Sequence, residues 1–179
     1  MACAGGGRQA QEASSRGGRS LDRTAGGHGT ASRRDHLRAA FVALILDTGP
    51  LYAAMDRADA DHGVCADLLS ESAEQLVVPA PVVVELDWLA GSRLGPEPFV
   101  AFLDDVEHGE TMIIDLLPAD YGRARELLAR YADLKLGFVD AAVVAVVERL
   151  GEHKLATLDR RHFGTIRPRH VEALELLPT

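Results

Sequence analysis

The sequence predicts an α/β domain, a three-layer α/β/α sandwich around a central, mainly parallel sheet of four to five strands. Three observations carry that expectation. Short apolar runs recur at Val42 to Leu46, Leu76 to Val78 and Leu155 to Leu158, and a near-continuous apolar run is how a strand buried on both faces reads. The stretches between them show helical periodicity and are long enough for the crossover helices that parallel strands need. Two of the runs end on acids, Asp47 and Asp159, at the carboxyl ends of strands, where open α/β sheets bind their ligands.

The elements follow in order. Residues 1–40 are rich in Gly, Ser, Arg and Ala without apolar periodicity and are expected to be disordered, which leaves 41–179 as the folded domain. Two readings of this segment are an Arg/Gly arm for RNA and an extension translated from an upstream start, with the working protein beginning near Val42; the second is adopted. The stretch from Ser32 to Arg38 followed by Ala39 to Leu46 has the pattern of a twin-arginine export signal. Asp47 and then Gly49-Pro50 break the apolar segment that export needs, and cleavage would delete a core strand.

After the strand Val42 to Leu46, Pro50 to Met55 reads as a short helix with its proline near the first turn, where the missing N–H costs little. Asp61 to Ser72 reads as a helix capped by Asp61 or a neighbour, with Val64, Cys65, Leu68 and Leu69 on its apolar face. Leu76 to Val78 is a strand. Helices follow after Pro79 and Pro81, carrying Glu85, Trp88 and Leu89, and over Pro96 to Glu107. Thr111 to Leu117 is expected as strand and Asp120 to Ala132 as helix, with Leu127, Leu128 and Tyr131 inward. Val139 to Leu150 is a very apolar helix stopped by Gly151, followed by strands at Lys154 to Leu158 and near Val171 to Leu176.

A chain of 179 residues with 47% apolar residues suits one domain with a sizeable core. Its two cysteines, Cys3 and Cys65, fit neither a disulfide framework nor a zinc spacing, as expected in a reducing cytosol. No apolar run approaches the roughly 18 residues of a membrane span, so a cytoplasmic location without membrane contact is predicted. The net charge of −8 divides unevenly: residues 1–40 hold seven Arg against three acids, and the remainder 12 basic against 24 acidic residues. Such an acidic core does not attract nucleic acid at long range, so a nucleic-acid substrate would need a metal ion and a local basic rim. A basic protein partner suits it equally.

Two further acids stand among core-forming residues. Glu85 lies in Val82-Val-Val-Glu85-Leu86 and shares a helical face with Trp88 and Leu89; Asp140 does so with Val143, Val144 and Val147. Both are expected to face inward, where they could meet the two strand-end acids. Ionised carboxylates lose several kcal/mol of hydration on burial, and each pair about 4 Å apart would repel by roughly 4 kcal/mol at an effective dielectric near 20. Either their pKa values rise or a cation sits among them, and oxygen-only ligands without clustered Cys or His suit Mg²⁺ or Mn²⁺. Taken singly, Asp47 could be a turn residue before Gly49-Pro50, and Asp159 could begin a turn into Arg160-Arg161.

The remaining candidates are plainer. His62 and His162 read as helix-surface or loop-supporting residues, Trp88 as core, and Asp56 and Asp87 as surface acids. Arg93, Lys135, Arg160 and Arg161 are candidate phosphate contacts. An aspartyl-phosphate phosphatase needs a second Asp two residues after the first, where this chain has Gly49, and no glycine-rich nucleotide loop is present.

Four segments together resemble the acidic motifs of PIN-domain ribonucleases, in particular the VapC toxins of bacterial toxin–antitoxin pairs: Leu46-Asp47-Thr48-Gly49-Pro50-Leu51, Pro81-Val-Val-Val-Glu85-Leu86, Leu136-Gly137-Phe138-Val139-Asp140-Ala141 and Ala156-Thr157-Leu158-Asp159-Arg160-Arg161-His162-Phe163. The resemblance runs from about Val42 to the C-terminus, in the family's order and at about its spacing. It implies a pocket that binds Mg²⁺, with Mn²⁺ as a substitute, and hydrolyses RNA phosphodiester bonds, with Asp47 and Asp140 as the most direct ligands and Glu85 and Asp159 completing the pocket. Thr48 and Thr157 match hydroxyl positions that orient the acids, and Asp133 matches a position often acidic in the family. Gly49 departs from the Ser or Asn of many relatives, removing one hydrogen bond. The resemblance further implies a homodimer and a small antitoxin that inserts a basic residue into the pocket. Alternatives are a PIN-like module that binds RNA or protein without cutting, and a housekeeping PIN nuclease without an antitoxin.

Overall fold

The computed structural model describes residues 42–179; the segment 1–40 expected to be disordered lies outside the described residues. Five strands, β1 (Ala43–Leu46), β2 (Gln75–Pro79), β3 (Thr111–Ile114), β4 (Lys154–Ala156) and β5 (Glu175–Leu177), form one parallel sheet in the order β3-β2-β1-β4-β5. Seven helices, α1 (Thr48–Met55), α2 (His62–Glu71), α3 (Ala80–Arg93), α4 (Glu97–His108), α5 (Pro118–Arg130), α6 (Phe138–Leu150) and α7 (Arg160–Thr165), complete the α/β architecture.

All four residues of β1 are buried. Side chains alternate across a strand, so burial at every position means that both faces of the sheet are covered, and the unbroken apolar run has its physical explanation. β1 is the central strand: Ile45 pairs with Val77 of β2 on one side and Leu155 of β4 on the other. The chain fills one half of the sheet through β2 and β3, then returns to lay β4 and β5 on the other. That reversal opens a crevice beyond the carboxyl ends of β1 and β4, the place where sheets of this kind bind ligands.

Helix α6 buries seven consecutive residues, Ala141 to Val147, which accounts for its apolar character all round. It ends at Gly151, whose φ of 76° is the left-handed conformation that a helix-terminating glycine supplies. Two ion pairs fasten α6 to α5. Arg123 forks onto Glu148, with Nε to Oε2 at 2.7 Å and Nη2 to Oε1 at 2.8 Å. Arg149 donates to Asp120, which in turn accepts the Leu117 N–H at the start of α5.

Several boundaries and faces differ from the sequence reading. β3 stops at Ile114, not Leu117, because Leu117 is the extended residue before Pro118 at the start of α5. β4 ends at Ala156 and β5 begins at Glu175, so both last strands are shorter than expected. Val64 is exposed on α2, where Cys65 alone is fully buried. Helix α7 was not anticipated. Among the described residues no helix is long and apolar enough to cross a membrane.

Candidate active site

A cleft of about 670 Å³ opens at the crevice between β1 and β4, and Asp47, Glu85, Asp140 and Asp159 all line it. Asp47 is the deepest. Its N–H donates to Ala156 O at 2.9 Å, extending the β1–β4 pairing by one residue, and it is 6% exposed. Thr157, fully buried immediately after β4, donates its hydroxyl to Asp47 Oδ2 at 2.8 Å and accepts the Asp159 N–H. Thr48, the first residue of α1, donates to Glu85 Oε2 at 2.5 Å. Each threonine thus holds one acid. Gly49 follows without a side chain, and a Cβ there would stand 3.3 Å from Leu158 Cβ, so its smallness permits close passage of α1 and the segment after β4.

Two acids of the cleft also start helices. Asp140, in the first turn of α6, accepts the Gly137 N–H at 3.0 Å; Asp159 accepts the His162 N–H at 2.9 Å at the start of α7. The second contact folds His162 back toward the cleft. Its Nδ1 lies 2.8 Å from Asp159 Oδ2 and 3.2 Å from Asp140 Oδ2. His162 therefore lies on a helix, as one of its two sequence readings had it, but with its ring against two acids of the cleft, which that reading did not foresee. The spacing Asp159-x-x-His162 was the available signal, because an N-cap acid brings the residue three positions on beside it.

Helix α3 corrects two expectations. Its buried stripe is Val82, Leu86 and Ala90, so Glu85 and Trp88 fall on its flank. Glu85 opens into the cleft and not into the core, and Trp88 is 71% exposed on the same wall. Of the basic candidates, Arg160 and Arg161 line the cleft, with Arg160 also donating to Pro178 O. Arg93 does not: its guanidinium lies over the Tyr52 ring, 5.8 Å from the centroid. Lys135, with a left-handed φ of 58°, and Asp133, in a 3-10 turn, are exposed in the loop before α6 and take no part in the walls of the cleft. His62, the first residue of α2, lies 3.0 Å from Ala53 O in α1 and so ties together the two helices that flank the loop between them.

Residues 44–167 match the family described as PIN domain. The chain belongs to the PIN-domain family. Over 125 residues it is 35% identical to Ribonuclease VapC26 of Mycobacterium tuberculosis, covering 70% of this chain and 93% of that one. The solved structure of M. tuberculosis VapC20, described as a Sarcin-Ricin loop cleaving toxin, superposes with a TM-score of 0.63 at 21% identity, over 72% of this chain and 98% of the other. A chain of Rickettsia felis VapBC2, solved bound to a DNA fragment from their promoter, gives 0.55 at 18% identity, over 75% and 98%. At those identities the two structures speak for the fold.

Electrostatics single out the deepest acid of this PIN domain. Burial pushes the Asp47 carboxyl up to about 6, against the Thr157 hydroxyl and Thr48 N–H that hold it down, and the charges of Asp140 and Glu85 push the same way. Asp140 is also raised, first by burial and further by Asp159 and Glu85. Among the described residues no three Asp, Glu, His or Cys side chains are placed closely enough as they stand to hold a metal ion together. The donor chemistry nevertheless fits a divalent cation: acids that repel one another line one cleft, and against two of them, Asp159 and Asp140, the Nδ1 of His162 is shielded from solvent without a hydrogen bond. A cation would relieve both. Thr157→Val should keep the fold and lose the Asp47 contact. Outer-shell partners of metal ligands are worth about 10- to 100-fold in affinity or activity, and a divalent-ion titration of the variant should show a loss in that range.

Proposed function

We propose that this PIN domain is a divalent-metal-dependent endoribonuclease and the toxic member of a toxin–antitoxin pair. The observation that carries the reading is the meeting of Asp47, Glu85, Asp140 and Asp159 in one cleft at the switch point of the sheet, supported by the 35% identity to Ribonuclease VapC26. Mg²⁺ is the proposed ion, with Mn²⁺ able to substitute. When bound, the ion supplies charge neutralisation at the scissile phosphate and activation of a water.

The chain's own residues supply the rest. Asp47 and Asp140 hold the ion most directly, and Glu85 and Asp159 complete the negative wall. Thr48 and Thr157 fix the orientation of Glu85 and Asp47, so little reorganisation is needed when the ion arrives. Arg160 and Arg161 offer the basic rim that an otherwise acidic domain needs to hold an RNA backbone. Cellular RNA as the proposed substrate makes the cytoplasm the proposed location.

The partner proposed is a small antitoxin that sets a basic residue against the acids. Beside the cleft, and sharing Glu85 and Trp88 with it, runs a groove of about 890 Å³ faced by Val84, Tyr121 and Phe138. Exposed apolar surface rimmed by charge is what a protein partner covers. A homodimer is part of the same proposal, and co-purification from the native operon with a small neighbouring protein is the outcome that supports the pairing.

The decisive measurement is cleavage of RNA by the purified chain with Mg²⁺ and then with EDTA. Activity should vanish with EDTA and return with Mg²⁺ or Mn²⁺. Cleavage that survives chelation would overturn the metal mechanism, and RNA binding without cleavage under any divalent ion would favour a non-cutting PIN-like module.

A further inference from the structure

We infer that His162 supplies a nitrogen ligand to the divalent ion of the acidic cleft and that this biases the site toward Mn²⁺ over Mg²⁺. The inference rests on the proposal that the cleft binds a divalent ion; it adds a nitrogen donor and reverses the order given there, making Mn²⁺ the favoured ion and Mg²⁺ the substitute.

Geometry points to it. Ligands adjacent on an octahedral ion with bonds of about 2.0–2.1 Å stand about 2.9 Å apart. Nδ1 of His162 lies 2.8 Å from Asp159 Oδ2 and 3.2 Å from Asp140 Oδ2, the separation of neighbouring corners of one coordination sphere. At those distances a well-aimed ring nitrogen would be hydrogen-bonded, yet Nδ1 is shielded from solvent and forms no hydrogen bond. The nitrogen therefore meets neither carboxylate at a hydrogen-bonding angle and keeps its donor capacity for another partner. The two acids are 20% and 39% exposed, so an ion can reach them from solvent.

The backbone explains why the ring is there. The His162 N–H is tied to Asp159 Oδ1, and Phe163, the next residue, is 1% exposed in the core, so α7 is anchored on the core side while His162 faces the acids. Chemistry then sets the preference. Carboxylate and water suit Mg²⁺ and Mn²⁺ alike, whereas imidazole favours transition metals.

The opposite role is a counter-charge, in which a protonated His162 separates two carboxylates and is displaced by the ion. The two roles predict opposite signs. A nitrogen ligand requires that Mn²⁺ bound to the wild-type protein show ¹⁴N modulation in pulsed electron paramagnetic resonance, shifted to the ¹⁵N pattern by ¹⁵N-histidine labelling and absent in His162→Gln. Calorimetry should show Mn²⁺ affinity lower by about tenfold or more in His162→Gln, with a smaller fall for Mg²⁺. Bound Mn²⁺ without nitrogen modulation, modulation that persists in His162→Gln, or unchanged or tighter Mn²⁺ binding by that variant would overturn the inference while leaving the metal site standing. No Mn²⁺ binding by the wild-type protein would overturn both.

Discussion

Asp47→Asn is expected to abolish RNA cleavage and, in the absence of metal, to make the protein more stable at neutral pH. The loss of activity should be at least about a hundredfold, since even residues that merely support metal ligands cost 10- to 100-fold. The gain in stability follows from burial. The carboxyl titrates near 6 in the folded protein against an ordinary 3.8, a difference of about two units or roughly 3 kcal/mol. Below pH 3.8 the group is protonated in both states and costs nothing. As pH rises from 3.8 to 6 the unfolded chain ionises while the folded one does not, so folding loses those roughly 3 kcal/mol progressively over that interval, and the loss is complete above 6.

Asparagine carries no charge to bury. In EDTA at pH 7.5 the variant should therefore melt several degrees above wild type, and the difference should fade as the pH approaches 4. Comparing variant with wild type isolates Asp47 from Asp140, whose carboxyl is raised in the same direction. Thermal melts from pH 4 to 8 measure it, and a variant less stable than wild type at pH 7.5 in EDTA would contradict the assigned burial penalty. Saturating Mn²⁺ should reverse the order, because the ion stabilises the ionised wild-type site by mass action.

How much of this site was legible in the sequence depended on the kind of signal each residue left. Asp47 was legible because it directly follows the apolar run that forms β1, and the position after such a strand is fixed by the sheet; Asp159 was legible less directly, since β4 stops at Ala156 and Asp159 stands beyond Thr157 and Leu158 as the N-cap of α7. The stop of α6 at Gly151 was legible for a local reason, the left-handed residue that ends a helix. Glu85 and Trp88 were placed on the wrong face because Val82, Val83 and Val84 precede them without interruption, so the apolar pattern does not fix the rotation of α3. Only packing selects the stripe Val82, Leu86, Ala90. His162 was missed because α7 is six residues long, too short for periodicity to register. Arg93 was misplaced because its nearness to Glu85 in sequence says nothing of the two-turn distance along α3 that carries it to Tyr52.

The ion pairs between α5 and α6 were illegible for a different reason: Arg123 and Glu148 are 25 residues apart and meet only because the two helices pack. Both side chains are 9% exposed, and breaking such a pair leaves one buried charge uncompensated, at a cost of roughly 3–5 kcal/mol. Arg123→Met is therefore expected to lower the melting temperature by on the order of 10 °C, a larger fall than any exposed substitution would bring. Glu148 would keep only the Arg169 N–H among its present partners. Adding Glu148→Leu should restore much of the loss, since two apolar side chains can replace a buried pair at little net cost. The pair lies on the side of α6 that meets α5, and not in the acidic cleft, so cleavage per folded molecule at low temperature should stay near wild type in both variants. A double variant as unstable as the single one would show that the pair contributes attraction beyond its own desolvation, and a single variant that melts like wild type would show that Glu148 finds solvent or another cation when Arg123 is gone.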